Sequence, residues 1–222
     1  MKPEPISKTP GQRVLTERVD ADLCLAARQF DTATLHEAAG KTGALPSAIK
    51  PMAPGFRISG PAVTVHASGG DNLWLHRAIY LAEPGDVLVV HVNGVFEHGY
   101  WGEIMSTAAR VRKLGGLVID GCVRDGALLA EVGFPVFARG LCIRGTGKDF
   151  DAPGFINYPA LFGDVTVNAG DLVVGDGDGV VVIGRTAAQA VIDGAGRRAE
   201  AERGFLSRLE HGESSLNIYG WY

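Results

Sequence analysis

The chain has 222 residues, of which 46% are hydrophobic, and this is enough apolar side chain for one sizeable core. Its net charge of −4 provides no basic surface, so a nucleic-acid-binding protein is not favoured. The cysteines, Cys24, Cys122 and Cys142, are odd in number and widely spaced, which argues against a disulfide framework or a zinc cluster.

The N-terminal residues 1–18 are predicted to form an arm, because 1–11 contain three prolines and show no periodicity. A neighbouring subunit is one surface on which such an arm can lie. The N-terminus has no apolar core of a signal peptide, and no later segment approaches the roughly 18 apolar residues of a membrane-spanning helix. We therefore expect a soluble, cytoplasmic protein.

Helical periodicity runs from residue 19 to residue 40 and contains a break at Asp31. Asp31 is a plausible N-cap for the second of two helices, and Gly40 is expected just beyond its end. His36 on this helix is either a metal ligand or acid–base group, or a half-buried structural histidine. We favour the structural reading.

Two strands and a helix are predicted before the middle of the chain. Residues 57–66 alternate as in a strand and are expected to turn at Gly60-Pro61, and residues 69–72 open a helix capped by Asp71 or Asn72. Residues 87–92 are apolar except for His91, which indicates a strand buried on both faces.

The segment Gly99 to Asp125, GYWGEIMSTAARVRKLGGLVIDGCVRD, is the candidate functional stretch. A helix is predicted from Gly102, with a buried strand at residues 117–119 and a tight loop that ends at Arg124-Asp125. Backbone N–H groups at the helix start are then free, and a guanidinium and a carboxylate lie at the end of the strand. We expect these two polar features to lie close together.

The C-terminal third is predicted to contain short strands and one long helix. A D-x-D-G run at residues 176–179 can suggest calcium, but the glutamate of a calcium loop is missing, so a hairpin turn is favoured. The apolar tail at 216–222 is predicted to dock, and the long helix is placed to pack on another subunit. The expected elements are a helix at 126–132, a strand at 134–139, a Gly/Asp-rich excursion at 145–158, strands at 165–167, 172–174 and 180–183, and a helix at 186–209.

Arg124 and Asp125 carry chemistry that suits an oxo-acid site. The guanidinium of Arg124 is a planar fork for a carboxylate, and Asp125 offers oxygen to a hard divalent cation such as Mg²⁺. Taken alone, an adjacent Arg-Asp pair is more often a surface salt bridge. The surrounding sequence decides between these two interpretations.

Glu103 and Arg124 are separated by 20 residues, 124 − 103 − 1, and Asp125 follows directly. This arrangement resembles the motif of the RraA-like family, which includes divalent-metal-dependent aldolases: an acidic residue, twenty residues, then Arg-Asp. The resemblance covers the chain from about Asp31 to the C-terminal helix. Further matches are residues 35–38 (LHEA), 60–64 (GPAVT), 70–72 (GDN), 84–90 (PGDVLVV), 118–121 (VIDG) and 170–176 (GDLVVGD).

The resemblance implies roles for individual residues. The arginine that holds the substrate carboxylate and oxo group corresponds to Arg124, and the aspartate that carries Mg²⁺ or Mn²⁺ corresponds to Asp125. The first acidic position is aspartate in the family motif and Glu103 here. The family's pyruvyl-binding backbone N–H groups fall on Gly102, Glu103, Ile104 and Met105. The approach to this helix is richer in glycine in the family, and here it carries the possible pocket residues Phe96, Glu97, His98, Tyr100 and Trp101.

The resemblance also implies a fold, an assembly and an activity. The fold is a single swivelling β/β/α three-layer α/β domain over 1–222, in trimers or hexamers with sites at subunit boundaries. The activity is retro-aldol cleavage of 4-hydroxy-4-methyl-2-oxoglutarate or 4-carboxy-4-hydroxy-2-oxoadipate to pyruvate and a second oxo acid, with oxaloacetate decarboxylation on the side. Glu200 or Glu202 of a neighbouring subunit is a possible acid–base partner, although a solvated helix face is favoured. The alternative function is non-catalytic binding and inhibition of ribonuclease E.

Overall fold

The computed structural model describes residues 11–13 and 17–222. Most of the predicted arm at 1–18 lies outside these residues. The helices are α1 (Ala21–Ala27), α2 (Thr32–Ala38), α3 (Leu73–Leu81), α4 (Glu103–Val111), α5 (Gly126–Val132), α6 (Ala188–Glu210) and α7 (Ser215–Tyr219). The strands are β1 (Lys50–Pro51), β2 (Ile58–His66), β3 (Val87–His91), β4 (Gly116–Ile119), β5 (Cys122–Val123), β6 (Val136–Ala138), β7 (Gly140–Leu141), β8 (Phe155–Ile156), β9 (Ala160–Phe162), β10 (Val165–Val167), β11 (Leu172–Gly175) and β12 (Val180–Ile183).

The central sheet has the order β1-β6-β4-β3-β2-β11-β12, and β8 pairs with the end of β2. Strands β2, β3, β4 and β6 are parallel, while β1, β11 and β12 run antiparallel to their neighbours. The small hairpin β9–β10 packs against β2 and β3, and helix α3 packs against the same two strands. The predicted mixed α/β fold with two β layers is therefore confirmed.

Strand β2 does not turn at Gly60-Pro61, so that detail of the prediction is wrong. The strand instead changes partner there: residues 58–61 pair with β11, and residues 62–66 pair with β3 on the other side. A proline lacks the N–H that a central strand must donate, and it is tolerated where the ladder changes partner. A Cβ on Gly60 would lie 2.3 Å from the carbonyl oxygen of Gly85, so the glycine allows a close backbone approach.

The core consists of two apolar clusters. The larger one fills the space around β2, β3, β4 and β6, and β3 and β4 are buried along their whole length up to His91 and Ile119. The smaller one lies between β11 and β12 and the helices α1, α2 and α6. Each fully buried Val, Leu or Ile side chain contributes about 1.5–3 kcal/mol, so this continuous burial holds the strand ends that carry the candidate site.

Helix α2 is capped by a residue that is distant in sequence. Asp31 occupies the N-cap position without a side-chain cap bond, and Asp176 accepts hydrogen bonds from Thr32 N at 2.8 Å and Thr32 Oγ1 at 2.7 Å instead. Burial alone would raise the pKa of Asp176, but the bonds from Thr32 and from the Asp178 N–H outweigh it and lower the pKa. Asp176 is thus a structural carboxylate in the turn of the predicted β11–β12 hairpin.

Helix α6 confirms the long helix predicted at 186–209, and it packs on α2. The following tail is not buried by its own chain: Trp221 is 66% exposed and Tyr222 is 85% exposed. Tyr219 contacts Phe205 of α6 with ring centroids 5.2 Å apart. Docking of this tail stays a prediction. In the described part of the chain no helix is long and apolar enough to cross a membrane.

Candidate functional site

Arg124 and Asp125 directly follow β5, a short strand that is separate from β4. The sequence placed them at the end of the strand at 117–119, but β4 ends at Ile119 and β5 follows as a separate element that pairs with β7. The chain leaves the main sheet here because Cys122 and its neighbours bond to another loop. Cys122 N donates to Phe96 O at 2.8 Å, and Arg124 N donates to Trp101 O at 2.8 Å.

The loop before α4 is fixed by two buried aromatic side chains. Tyr100 and Trp101 are both 0% exposed. The Trp101 ring stacks on Phe134 with centroids 6.0 Å apart, and its Nε1 donates to Ser106 Oγ at 2.7 Å. Because a buried indole N–H must find an acceptor, this bond sets the orientation of the ring at the start of α4. The first turn of the helix therefore has a fixed place beside Arg124.

Asp125 adopts a left-handed backbone conformation with φ +61° and ψ 38°. This conformation costs a non-glycine residue about 1 kcal/mol, and aspartate tolerates it better than most. It directs the carboxylate back to α4, where Oδ2 accepts a hydrogen bond from Glu103 N at 3.1 Å. Arg124 Nε lies 3.7 Å from the same oxygen. The expected closeness of the helix start and the Arg-Asp pair is thus seen, but the Glu103 N–H is not free as predicted.

Gly102 permits this close approach between the loop and the Arg-Asp pair. A Cβ at Gly102 would lie 2.3 Å from Asp125 Oδ2 and 3.2 Å from Arg124 Cγ. A Cβ at Gly99 would lie 2.6 Å from the carbonyl oxygen of Cys142 and 3.0 Å from Arg124 Cβ. Both positions therefore require glycine for space.

A cavity of 210 Å³ opens at this point. Its lining includes five residues from the sequence-predicted set: Gly102, Ile104, Met105, Arg124 and Asp125. Glu103 is not part of the lining, and its side chain is exposed. Tyr100 and Trp101 line the cavity from the loop that was expected to shape it, whereas Phe96, Glu97 and His98 do not.

Residues from two distant segments complete the cavity, and sequence reasoning did not assign them to it. Asn72 and His76 come from the start of α3, and Thr146 and Lys148 come from the Gly/Asp-rich excursion. Burial lowers the pKa of His76, the positive charge of Lys148 lowers it further, and Asp71 opposes the shift. His76 is therefore neutral at pH 7. The sequence signal for Asn72 is the Gly-Asp-Asn segment, which predicts a helix start and matches the family pattern but does not by itself assign Asn72 to the site.

Asn72 ties α3 to the loop before α4. Its Nδ2 donates to Tyr100 O at 2.9 Å and lies 3.6 Å from Met105 Sδ. Its Oδ1 is buried and has no hydrogen-bond partner among the described residues. An unpaired buried oxygen costs about 1–3 kcal/mol, and an ordered water is a common partner for such an atom.

The donor set around the cavity fits a weakly held Mg²⁺ or Mn²⁺. No cluster of three or more His, Cys, Asp or Glu side chains that could hold a metal occurs within residues 11–13 and 17–222. Mg²⁺ commonly binds through only one or two carboxylates, and water and substrate supply the other oxygens. Among the described residues Asp125 is the one acidic side chain that lines the cavity, and Asn72 in the same lining carries a side-chain amide oxygen. The residues present are compatible with such a site.

The other candidate residues of the described chain lie outside the cavity lining. His36 is half-buried, and its Nδ1 lies 3.0 Å from Thr42 O, as expected for a structural histidine. Cys24, Cys122 and Cys142 are free thiols, and burial raises the pKa of Cys24 to about 11. These groups do not reach the cavity.

Comparison with known proteins agrees with this geometry. A model of the RraA-like proteins, described as Aldolase/RraA, matches residues 21–182. The chain belongs to the RraA-like family. This match includes the whole segment from Gly99 to Asp125 and confirms the family resemblance of the sequence motif.

Individual relatives of this RraA-like protein include both aldolases and regulators by name. A protein of Halalkalibacterium halodurans, provisionally named a 4-hydroxy-4-methyl-2-oxoglutarate aldolase, is 34% identical over 82% of this chain and 85% of its own. A crystal structure of an uncharacterised Pseudomonas syringae protein has a TM-score of 0.76 at 26% identity, covering 91% of this chain and 98% of that one. Streptomyces coelicolor RraAS2, described as an unusual member of the RNase ES inhibitor RraA family, has a TM-score of 0.72 at 27% identity, covering 86% and 100%.

Proposed function

We propose that this protein is a divalent-metal-dependent aldolase that cleaves a 4-hydroxy-2-oxo di- or tricarboxylic acid to pyruvate and a second oxo acid. The observation that carries the proposal is the meeting of Arg124, Asp125 and the first turn of α4 on one cavity. An oxo acid presents a carboxylate and a carbonyl side by side. In the cavity, the start of α4 would bind the carboxylate, and the guanidinium of Arg124 would bind the carbonyl.

The pyruvyl end of the substrate is placed by α4 and Arg124. The N–H groups of Ile104 and Met105 in the first helical turn have no acceptor within the helix, and both residues line the cavity. The positive end of the helix dipole favours an anion there. Arg124 reaches the same space, and its side chain is 47% exposed, so it is accessible to a ligand.

Cleavage of the carbon–carbon bond leaves an enolate of pyruvate, and this negative charge must be stabilised. Arg124 donates hydrogen bonds to the oxygen on which the charge develops. A Mg²⁺ or Mn²⁺ ion held by Asp125 would act as a Lewis acid toward the 2-oxo group. Oxaloacetate decarboxylation passes through the same enolate, so we expect it as a side activity.

The hydroxyl proton of the substrate needs an acceptor. His76 is neutral at pH 7 because burial and Lys148 lower its pKa, and it lies in the cavity wall. We therefore assign it as the general base of this chain. The alternatives from the sequence are a metal-ordered water and Glu200 or Glu202 of a neighbouring subunit, although a solvated helix face is favoured for the two glutamates.

The far end of the substrate carries a second carboxylate. Lys148 and Arg124 both line the cavity, and Asp125 is the one acidic side chain among its described lining residues. Two cations against one carboxylate attract a di- or tricarboxylic acid, and they attract it more strongly when Asp125 also carries a cation. This balance supports a multiply charged substrate over a neutral one.

A neighbouring subunit is the partner that we propose for the rim of the site. Ile104 is 77% exposed, Leu141 is 62% exposed and Ile143 is 97% exposed. Ile104 lines the cavity, and Leu141 and Ile143 flank Cys142, whose carbonyl oxygen lies against Gly99 of the cavity lining. Exposed apolar side chains such as these are typical of an interaction surface. Assembly as a trimer or hexamer would cover them and place sites at subunit boundaries.

A coupled assay tests the proposed activity. Purified protein with Mg²⁺ or Mn²⁺ is given 4-hydroxy-4-methyl-2-oxoglutarate, 4-carboxy-4-hydroxy-2-oxoadipate or oxaloacetate, and pyruvate is measured with lactate dehydrogenase and NADH. We expect pyruvate from at least one of them and its loss with EDTA. Absence of pyruvate from all three would refute the proposal.

Inhibition of a ribonuclease is the second candidate function, since a structural relative bears that description. It requires a surface for the nuclease and makes no use of the cavity. Binding to ribonuclease E in a pull-down, with the same affinity in wild type and Arg124→Ala, would favour it. Absence of binding would count against it.

A further inference from the structure

The loop that brings Lys148 to the cavity is not held by side-chain packing. Gly145, Gly147, Lys148 and Asp149 are all exposed, and Thr146 is only half-buried. A loop without buried side chains gains little from the hydrophobic effect, so its position depends on hydrogen bonds to the rest of the fold.

Those bonds lead to the start of α3, and a buried carboxylate is at their centre. Asp71 is 5% exposed, its Oδ1 accepts from Leu73 N at 2.8 Å, and its Oδ2 accepts from Asp149 N at 2.6 Å. Leu73 is the first residue of α3, and Asp149 directly follows Lys148. The carboxylate of Asp71 therefore bonds to the start of α3 with one oxygen and to the Lys148 loop with the other.

Backbone contacts strengthen the same junction. Gly147 N donates to Gly70 O at 2.7 Å, and Asn72 N donates to Gly147 O at 3.3 Å. Gly70 is itself fixed, because its N–H donates to Tyr100 OH at 2.7 Å. The loop thus lies against residues 70–72, which directly precede α3. Asn72 and, one turn further along, His76 line the cavity.

The charges of the two segments interact across this junction. The positive charge of Lys148 lowers the pKa of His76, and Asp71 acts in the opposite direction. His76 belongs to α3 and Lys148 belongs to the loop, and both residues line the cavity. Movement of the loop would change both the position of the cation and the environment of the base.

We propose that Asp71 is a positioning residue that fixes the Lys148 loop against α3 and thereby sets the reach of Lys148 toward the far carboxylate of the substrate. Asp71 does not line the cavity itself. It acts through the Asp149 N–H on one side and the Leu73 N–H on the other. The kinetic part of this inference rests on the proposed aldolase function.

Asp71→Asn is the informative substitution, because the amide keeps the size of the side chain but cannot accept from both N–H groups. We expect KM for the oxo-diacid to rise about tenfold, since one charged hydrogen bond is lost, with kcat changed less than about twofold. Lys148→Ala should raise KM by a similar factor. In the double variant the Asp71→Asn change should add less than about twofold, because both changes act on the same contact.

Hydrogen exchange provides a readout that does not depend on catalysis. We expect the Asp149 amide to exchange about tenfold faster in Asp71→Asn than in wild type, while amides of β3 and β4 stay protected. Asp151→Asn is the matched control, since it makes the same chemical change in an exposed side chain of the same segment. It should leave both exchange and KM unchanged.

The outcomes separate this inference from the proposed function. Unchanged exchange at Asp149 in Asp71→Asn, or KM effects of Asp71→Asn and Lys148→Ala that multiply in the double variant, would overturn the positioning role. A general slowing of kcat with unchanged KM would also overturn it, because that pattern indicates a structural defect. If wild type releases no pyruvate, the proposed function fails, and the exchange experiment still decides whether Asp71 fixes the loop.

Discussion

The Asp125 carboxylate accepts a hydrogen bond at 3.1 Å from the N–H of Glu103, which lies 22 positions earlier in the sequence. The donor belongs to the helix start assigned to the substrate, and the acceptor is the residue assigned to the metal. A cation held by Asp125, as proposed, would reduce the negative charge that its carboxylate directs to the helix. The N–H groups of α4 would then be better donors for a substrate carboxylate, which would couple the two proposed functions.

Replacement of Asp125 by asparagine tests the metal assignment without disturbing the backbone. Asparagine tolerates the left-handed conformation of this residue, and its oxygen can still accept from the Glu103 N–H. We expect Mn²⁺ binding, measured by calorimetry, to be lost, and kcat to fall by more than about 100-fold, because Lewis-acid stabilisation contributes several kcal/mol. Wild-type Mn²⁺ affinity in Asp125→Asn would assign the metal to other groups.

Gly102→Ala tests the close approach of α4 to the Arg-Asp pair. The new Cβ would lie 2.3 Å from Asp125 Oδ2, so the carboxylate must move. A displacement of about 1 Å at reacting groups can cost about 100-fold in rate, and we expect a loss of that order in kcat/KM. Gly177→Ala is the control, because a Cβ there meets nothing within 4 Å. Equal activity of the two variants would show that the contact does not matter.

The pH dependence of kcat/KM tests His76 as the base. Its pKa lies below the usual 6.5 because of burial first and Lys148 second. The neutral form is active, so activity should be flat near pH 7 and fall only as the pH drops through this lowered pKa. His76→Asn should lose about 100-fold and the acidic limb with it. An unchanged profile would move the assignment to Glu200 or Glu202 of a neighbouring subunit.

Asp176→Asn tests the remote cap of α2. The folded-state pKa of Asp176 is lowered, so its stabilising contribution is complete above the unfolded value, about 4, and is lost as pH falls through the folded pKa. At pH 7 the substitution should reduce the free energy of unfolding by about 2 kcal/mol.

Urea unfolding at pH 7 and at pH 3 measures this effect, and the difference from wild type should shrink at the lower pH. Asp178→Asn is the matched control, since its side chain is exposed. If the difference in the free energy of unfolding between Asp176→Asn and wild type is the same at both pH values, the ionisation of Asp176 does not contribute to stability.

Local patterns in the sequence predicted the elements around the site well. The helix predicted from Gly102 begins at Glu103 in α4, the strand predicted at 117–119 is β4 with one more residue at its start, and the helix predicted at 126–132 is α5. Gly40 follows α2 with φ +73°, as expected for a residue beyond a helix end. These features depend on neighbouring residues, which a periodicity analysis can read.

The features that the sequence did not predict depend on contacts between distant segments. The capping of Thr32 by Asp176 spans 144 residues, and no local pattern indicates it. The separation of β5 from β4 depends on Phe96 and Trp101, which accept from its backbone. Lys148 reaches the cavity because of Asp71, and nothing in its own segment predicts that. The motif resemblance identified Arg124 and Asp125. The cavity residues from α3 and from the Lys148 loop could be identified only from the tertiary structure.

Pyruvate release by wild type and by Arg124→Ala, with Mg²⁺ and the best of the three substrates, tests the central claim most directly. Arg124 is 47% exposed, so its removal should leave the fold intact, and Arg110→Ala on the exposed side of α4 is the control. We predict a fall in kcat/KM of about 100- to 1,000-fold for Arg124→Ala and less than about twofold for Arg110→Ala. Equal pyruvate release by wild type and Arg124→Ala would contradict the assignment of this site.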